Sequence, residues 1–78
     1  MRLLTERIGW DPDVCNGKPV IVGTRITVQS VVEYLSAGDS PEEVVRYYPE
    51  LQPADISACL KFAARLLDRH WLPLPAAA

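Results

Sequence analysis

The hydrophobic pattern changes its period near residue 27, which divides the chain into two parts. Before that point, short apolar runs lie between turn-forming residues, a pattern typical of short strands. The segments predicted to be strands are Leu3–Ile8, Val14–Cys15, Val20–Val22 and Arg25–Thr27. Asn16-Gly17 predicts a hairpin turn between the second and third segments, and Gly23 predicts a tight turn after the third. A small β-hairpin is therefore expected at the N-terminus.

After residue 27 the apolar positions recur every three to four residues, which predicts helices. The first helix is expected to follow Thr27 as its N-cap and to stop at Gly38. The second begins with a capping box, because Ser40 and Glu43 have the spacing at which each side chain bonds the other's backbone amide. It must end before Pro49, since a proline disfavours helix at the preceding residue.

The third helix is predicted from Pro53 to about Arg69. Its apolar side chains fill an arc of about 200°, wider than the ~100° stripe with which a surface helix faces one core. This pattern fits either a well-buried helix or a helix whose flank at Phe62 and Leu66 contacts another chain. Short connections between the helices predict a three-helix bundle whose last two helices form a helix-turn-helix. The expected fold is mainly α with a small N-terminal β-hairpin.

The chain is expected to form one domain with three parts. Residues 1–27 form the hairpin and a dimerisation segment, residues 28–69 the three-helix bundle, and residues 70–78 an apolar tail. A domain of 78 residues buries a thin core, yet 49% of its residues are hydrophobic. The excess predicts a homodimer, joined through the N-terminal strands, or a stable partner protein. The tail, with Trp71 and Leu74, is either a frayed end or a segment that binds the partner.

The composition argues against most catalytic functions and against a membrane-spanning segment. One histidine and two cysteines cannot fill a zinc site of the Cys/His type, and no cofactor is expected. An enzyme with Glu6, Asp11 and Asp13 around a metal is the weaker alternative, because Asp11-Pro12-Asp13 is typical of a turn. No apolar run reaches the ~20 residues that cross a bilayer. A cytoplasmic protein without catalytic or metal-binding residues is expected.

A net charge of −2 excludes a uniformly basic nucleic-acid-binding chain, so DNA binding would need a local patch. Lys61, Arg65 and Arg69 form such a stripe along the third helix, although a solvated helix face would carry the same residues. The candidate DNA-binding residues are Arg46, Gln52, Ser57, Lys61 and Arg65. The candidate residues for partner or dimer contact are Leu3, Leu4, Ile8, Phe62, Leu66, Trp71 and Leu74.

The stretch from Gly17 to Arg25 superficially suggests a phosphate-binding loop. A Walker loop needs Ser or Thr after its lysine and then a helix, whereas Lys18 precedes Pro19 and a predicted strand. A structural role fits better, with the Arg25 guanidinium binding a carbonyl or a carboxylate, for which Asp11 and Asp13 are both candidates.

Four ordered motifs carry a family resemblance. They are Asp11-Pro12-Asp13-Val14, the run from Gly17 to Val28, Gly38-Asp39-Ser40-Pro41-Glu42-Glu43 and Tyr48-Pro49-Glu50-Leu51. With these motifs, residues 8–67 resemble the family catalogued as domain of unknown function 433. The motif positions taken as structural are Asp11, Pro12, Gly17, Lys18, Pro19, Gly23, Thr24 and Arg25. The chain departs from the family at Gln52, where Thr or Ser usually precedes the proline of the closing helix.

The resemblance implies a β-hairpin with a three-helix, homeodomain-like fold that is often dimeric. Family members are commonly viewed as VapB-like antitoxins, many of them paired with a PIN-like ribonuclease toxin. The expected function is therefore that of a type II antitoxin that neutralises such a toxin and also binds operator DNA. The alternative is a dimeric protein-interaction module without DNA binding.

Overall fold

The computed structural model describes residues 1–70, and it describes side chains through residue 68. A small antiparallel sheet occupies the N-terminal part, and three helices follow it. The strands are β1 (Arg2–Leu3), β2 (Ile8–Trp10) and β3 (Val20–Ile21), and the helices are α1 (Val28–Ser36), α2 (Pro41–Tyr47) and α3 (Pro53–His70). The fold is thus mainly α, as expected, but the N-terminal part is a three-stranded sheet and not a lone hairpin.

The first predicted strand, Leu3–Ile8, is wrong, because it spans the end of β1, a turn and the start of β2. The Thr5 hydroxyl bends the chain by accepting hydrogen bonds from the backbone N–H groups of Arg7 (3.3 Å) and Ile8 (3.1 Å). Such side-chain bonds offer the backbone an alternative to a continuous strand. The sheet order is β1-β2-β3, so β2 is central and β1 lies at an edge.

The predicted strand Val14–Cys15 and the hairpin at Asn16-Gly17 are also wrong, since Cys15–Gly17 forms a 3-10 turn. Asn16 and Gly17 do adopt positive φ angles of 57° and 76°. They do so inside the 3-10 turn, where the Gly17 N–H donates to the Val14 carbonyl at 3.0 Å. The left-handed preference of an Asn-Gly pair therefore serves a 3-10 turn here and not the predicted hairpin.

The segments Val20–Val22 and Arg25–Thr27 pair in a shortened form. Val20 makes a single antiparallel bridge to Thr27, and the Ile21 N–H donates to the Ile26 carbonyl at 3.0 Å. Gly23, at φ 83°, makes the tight turn predicted between them. Thr24 fixes that turn, because its hydroxyl donates to the Ile21 carbonyl at 2.8 Å and accepts from the Ile26 N–H at 3.0 Å.

The helix boundaries follow the predicted local signals. The Thr27 hydroxyl accepts from the Ser30 N–H at 3.0 Å, and α1 ends two residues before Gly38. Both hydrogen bonds of the Ser40–Glu43 capping box form, at 3.0 and 3.2 Å. These bonds lower the pKa of the Glu43 carboxyl below its ordinary value. The second helix ends at Tyr47, before the proline, as predicted.

The core lies between the sheet and the helices, and α3 contributes to it only with its first half. The fully or almost fully buried side chains include Ile8, Val20, Ile21, Val31, Val44, Leu51, Ile56 and Cys59. From Ala64 to Asp68 every residue of α3 is exposed, so the well-buried helix allowed by the apolar arc is not observed there. Within residues 1–70, no helix combines the length and the hydrophobicity needed to cross a membrane.

Candidate partner-binding site

A basic groove lies between the β1–β2 turn and α3, and its open volume is about 370 Å³. Among the described residues, its cationic side chains come from both sides: Arg7 from the turn, Lys61 and Arg65 from the helix. Ala54, Ser57 and Ala58 also line it, and their small side chains leave the helix surface accessible. Glu6 is the acidic residue among its lining side chains.

An apolar groove of about 540 Å³ lies next to the basic groove. Leu4 comes from the β1–β2 turn, Trp10 from β2 and Pro19 from the segment before β3, whereas Phe62 and Leu66 come from α3. Leu4 is 41% exposed, Trp10 36% and Leu66 43%, so the groove presents large apolar surfaces to solvent. Such contiguous exposed surface is a mark of interaction sites.

The two grooves are parts of one surface, because Thr5, Phe62 and Arg65 line both. We call their union the composite trough. One half of it is apolar, the other half is basic, and Arg65 lies where they meet. The arrangement suits a ligand that combines apolar and anionic groups.

An ion pair holds one wall of the trough against the other. Arg7 Nη1 donates to Asp55 Oδ1 at 3.0 Å, and the second oxygen of Asp55 accepts from the Gln52 N–H at 2.8 Å. Asp55 is only 6% exposed. One carboxylate therefore satisfies a free amide at the start of α3 and also fixes the β1–β2 turn against that helix.

This ion pair is not predicted above from the sequence, although part of its signal is visible there. An acid at the third position of a helix often bonds the backbone amide before the helix, as Asp55 does with Gln52. Gln is a weaker N-cap than Thr or Ser, and this hydrogen bond offsets that weakness at the start of α3. No local pattern could assign Arg7, which lies 48 positions away along the chain.

The sequence predicts that the Arg25 guanidinium binds a carbonyl or a carboxylate, but this guanidinium forms no ion pair with Asp11 or Asp13. Asp11 Oδ1 accepts from the backbone N–H of Asp13 at 2.9 Å, as in an Asx turn, and Arg25 is exposed. Among the side chains of residues 1–68, the ion pair present is that of Arg7 with Asp55. The carbonyl of Arg25 contributes instead, accepting from the Cys15 thiol at 3.2 Å.

The other motif positions act mainly through the backbone. The Asp11 carbonyl accepts from the Val14 N–H after Pro12 turns the chain, and the Pro19 carbonyl accepts from the Val28 N–H, both at 3.0 Å. Gly17 lies behind the apolar groove, where a Cβ would be 3.4 Å from Nε1 of Trp10. Lys18 is exposed.

Of the five candidate DNA-binding residues, the structure brings three together. Ser57, Lys61 and Arg65 are exposed and line the basic groove. Arg46 on α2 and Gln52 before α3 are exposed but do not line it.

The candidate contact residues divide differently. Leu3, Leu4 and Leu66 are exposed, and Phe62 is half-buried against the core. Ile8 was wrongly assigned to a contact surface: its side chain is fully buried, because β2 is the central strand and Ile8 faces the core. Trp71 and Leu74 lie outside the described residues. Trp10, which the sequence analysis did not select, belongs to the apolar groove.

Other titratable groups lie away from the trough. Burial and the nearby Asp55 raise the pKa of the Cys59 thiol to about 11. Tyr47 donates a hydrogen bond to Asp39 Oδ1 at 3.1 Å, which raises the pKa of its phenol. In the described part of the chain, no group of three His, Cys, Asp or Glu side chains is placed to hold a metal ion.

A comparison with known proteins shows the family to which the chain belongs. Residues 8–63 match the family described as Protein of unknown function (DUF433), so the chain belongs to this family. A similar solved structure is the crystal structure of a DUF433 member protein from Anabaena variabilis, with 32% sequence identity and a TM-score of 0.77. The similarity covers 85% of this chain but 65% of the Anabaena protein, so this chain spans slightly less than two thirds of that protein's length. No curated protein matches the sequence.

Proposed function

We propose that the protein is a type II antitoxin that binds and neutralises a PIN-like ribonuclease and has no enzymatic activity of its own. The observation that carries the proposal is the composite trough, which exposes large apolar side chains beside a cationic cluster. A nuclease inhibitor needs a surface that binds another protein tightly. Apolar anchors flanked by arginine are characteristic of such surfaces.

The exposed apolar surface extends beyond the trough, which supports a protein partner further. Leu3 is 61% exposed on the edge strand and Leu67 is 66% exposed on α3. β1 pairs with β2 on one side, and no other strand within residues 1–70 pairs with its second edge. We therefore include a homodimer joined through the β1 edges in the proposal.

The test begins with a tagged full-length chain expressed in its native host, followed by mass spectrometry of the proteins that co-purify. We expect a small ribonuclease in near-equal amount. The purified ribonuclease should degrade RNA alone and lose that activity when the full-length chain is added. Recovery of the chain without a ribonuclease would contradict the proposal.

A matched pair of variants tests whether the trough makes the contact. Leu66→Asp places a charge in the apolar groove, so we expect it to reduce co-purification of the ribonuclease strongly. Leu60→Asp is the control, because Leu60 is also on α3 and similarly exposed (46% against 43%) but lines neither groove. Equal loss with both variants would place the contact elsewhere or indicate unfolding, which circular dichroism distinguishes.

A second proposed function is operator binding, with α2 and α3 acting as a helix-turn-helix. The observation in its favour is that Ser57, Lys61 and Arg65 line one exposed groove of α3. Helix-turn-helix proteins place the second helix in the major groove, and cationic side chains bind phosphates.

Fluorescence anisotropy with DNA from upstream of the gene tests this second function. Binding should weaken steeply between low and moderate salt, because each phosphate contact releases a counterion. Lys61→Glu with Arg65→Glu should abolish binding, whereas Arg25→Glu, an exposed cation outside the groove, should not. Absence of binding at low salt would leave a protein-interaction module without DNA binding.

A further inference from the structure

The lining of the composite trough changes from apolar to basic along its length, and this change predicts the chemical groups of the ligand that it binds. At one end, Leu4, Trp10 and Leu66 are exposed around an apolar groove. At the other end, Arg7 and Lys61 line the basic groove. The two ends are continuous, because Thr5, Phe62 and Arg65 line both grooves.

We propose that the trough binds an extended segment of a partner protein in which a large apolar side chain is followed or preceded, within a few residues, by acidic side chains. The inference rests on the proposed partner-binding function and specifies the segment of the partner that the chain recognises. The apolar side chain fills the groove beside Trp10 and Phe62. The carboxylates lie between Arg7 and Lys61, with Arg65 able to reach either half.

The ion pair within the trough leaves binding capacity at Arg7. A guanidinium has five N–H donors, and only Nη1 of Arg7 is bonded to Asp55. The Asp55 side chain is 9% exposed and both of its oxygens are already bonded, so they are not accessible to an incoming ligand. The Arg7 side chain, at 37% exposure, remains accessible for a carboxylate of the partner.

An acidic peptide fits the trough better than a nucleic acid backbone does. Half of the trough is apolar, and phosphodiesters make no use of such a surface. Glu6 on the wall of the basic groove and a net charge of −2 on the chain both oppose a long polyanion. A short segment with a few carboxylates satisfies the local cations without extending over the acidic remainder of the surface.

Selection from a random dodecapeptide library on the immobilised full-length chain tests the inference without knowledge of the partner. We expect enriched peptides to carry Leu, Phe or Trp within a few residues of Asp or Glu. The best peptide, made synthetically with a fluorophore, should bind about tenfold or more weakly to Lys61→Glu and to Leu66→Asp. Leu60→Asp and Arg25→Glu should bind it like the unmodified chain, because neither residue lines the trough.

A charge exchange separates direct contact from structural damage. A peptide whose acids are replaced by lysines should bind the Lys61→Glu, Arg65→Glu double variant better than it binds the unmodified chain. Enriched peptides without acids, no enrichment, or peptide binding that Lys61→Glu leaves unchanged would overturn the inference. So would displacement of the peptide by duplex DNA at moderate salt, since that would assign the basic groove to nucleic acid.

The ribonuclease assay keeps this inference separate from the proposed function. If the peptides follow the expected pattern but no ribonuclease co-purifies, the trough is a peptide site and the antitoxin function is wrong. If the Leu66→Asp and Lys61→Glu variants both neutralise the ribonuclease as fully as the unmodified chain does, the antitoxin function stands and the trough is not its contact surface.

Discussion

At the scale of single residues, Asp55 has the largest influence on the site. Its carboxylate bonds the Gln52 amide at the start of α3 and the Arg7 guanidinium from the β1–β2 turn. The β1–β2 turn and the start of α3, which are distant in sequence, are thereby held in contact. Because Arg7 remains partly exposed, water screens the ion pair, and the helix-start bond contributes a comparable share.

We expect Asp55→Ala to lower the free energy of unfolding by about 2 kcal/mol, since it removes one capping bond and one charge-assisted bond. Asp55→Asn can keep the bond from the Gln52 amide, and Arg7→Gln keeps that bond while removing the ion pair. Each should cost about half as much. Urea unfolding at neutral pH, followed by circular dichroism, measures all three. A cost of Arg7→Gln equal to that of Asp55→Ala would mean that the capping bond contributes nothing.

At the scale of elements, local side-chain signals determined the helices. Thr27, Ser40 and Pro49 act on backbone groups within a few residues of themselves, so their effects could be predicted without knowledge of the fold. The strands could not be predicted equally well. Thr5 and Asn16 lie in segments with strand-like composition, and local hydrogen bonds turn both segments away from the expected pairing.

The candidate site was predictable mainly on its helical side, with Leu4 as the contact residue predicted from the N-terminal side. The helical period predicts Lys61 and Arg65 on the polar face of α3 and Leu66 on the flank of its apolar arc. Arg7 and Trp10 reach the same trough through long-range packing of the sheet against α3. No periodicity within either segment indicates that packing, and it was therefore missed.

The capping box of α2 gives a pH-dependent prediction at this scale. Its hydrogen bonds favour the charged form of Glu43 and lower the pKa of this carboxyl below its ordinary value. Their stabilising effect is therefore present above the unfolded pKa and is lost as the pH falls through the lowered value. NMR titration should place the Glu43 midpoint below the ordinary value of a glutamate, and Ser40→Ala should raise it.

Ser36→Ala is the control for that titration, because the Ser36 hydroxyl bonds the Glu33 carbonyl and not Glu43. It should leave the Glu43 midpoint unchanged. An unchanged midpoint in Ser40→Ala as well would show that the Ser40 hydroxyl does not contribute, because alanine keeps the backbone N–H that bonds the Glu43 carboxylate.

At the scale of the whole molecule, the sheet is the part least able to stand alone. Its strands contain two or three residues each, and sheets this small are marginal without further packing. Ile8 of its central strand is buried in the core, whereas β1 is at an edge with Leu3 exposed. Pairing of two β1 edges across a twofold axis would extend the sheet and cover that side chain.

The dimer is tested by a charge on the edge and not by deletion of the N-terminus, since a deletion that includes Ile8 would remove a core residue. Size-exclusion chromatography with light scattering should give twice the chain mass for the full-length protein and the chain mass for Leu3→Lys. Leu67→Lys is the matched control, because Leu67 is similarly exposed (66% against 61%) but lies on α3. We expect it to remain dimeric. The dimer would be contradicted if the full-length protein eluted as a monomer and had the same unfolding midpoint as Leu3→Lys. The β1 edge would then be free in solution, and the excess apolar surface would serve the partner protein alone.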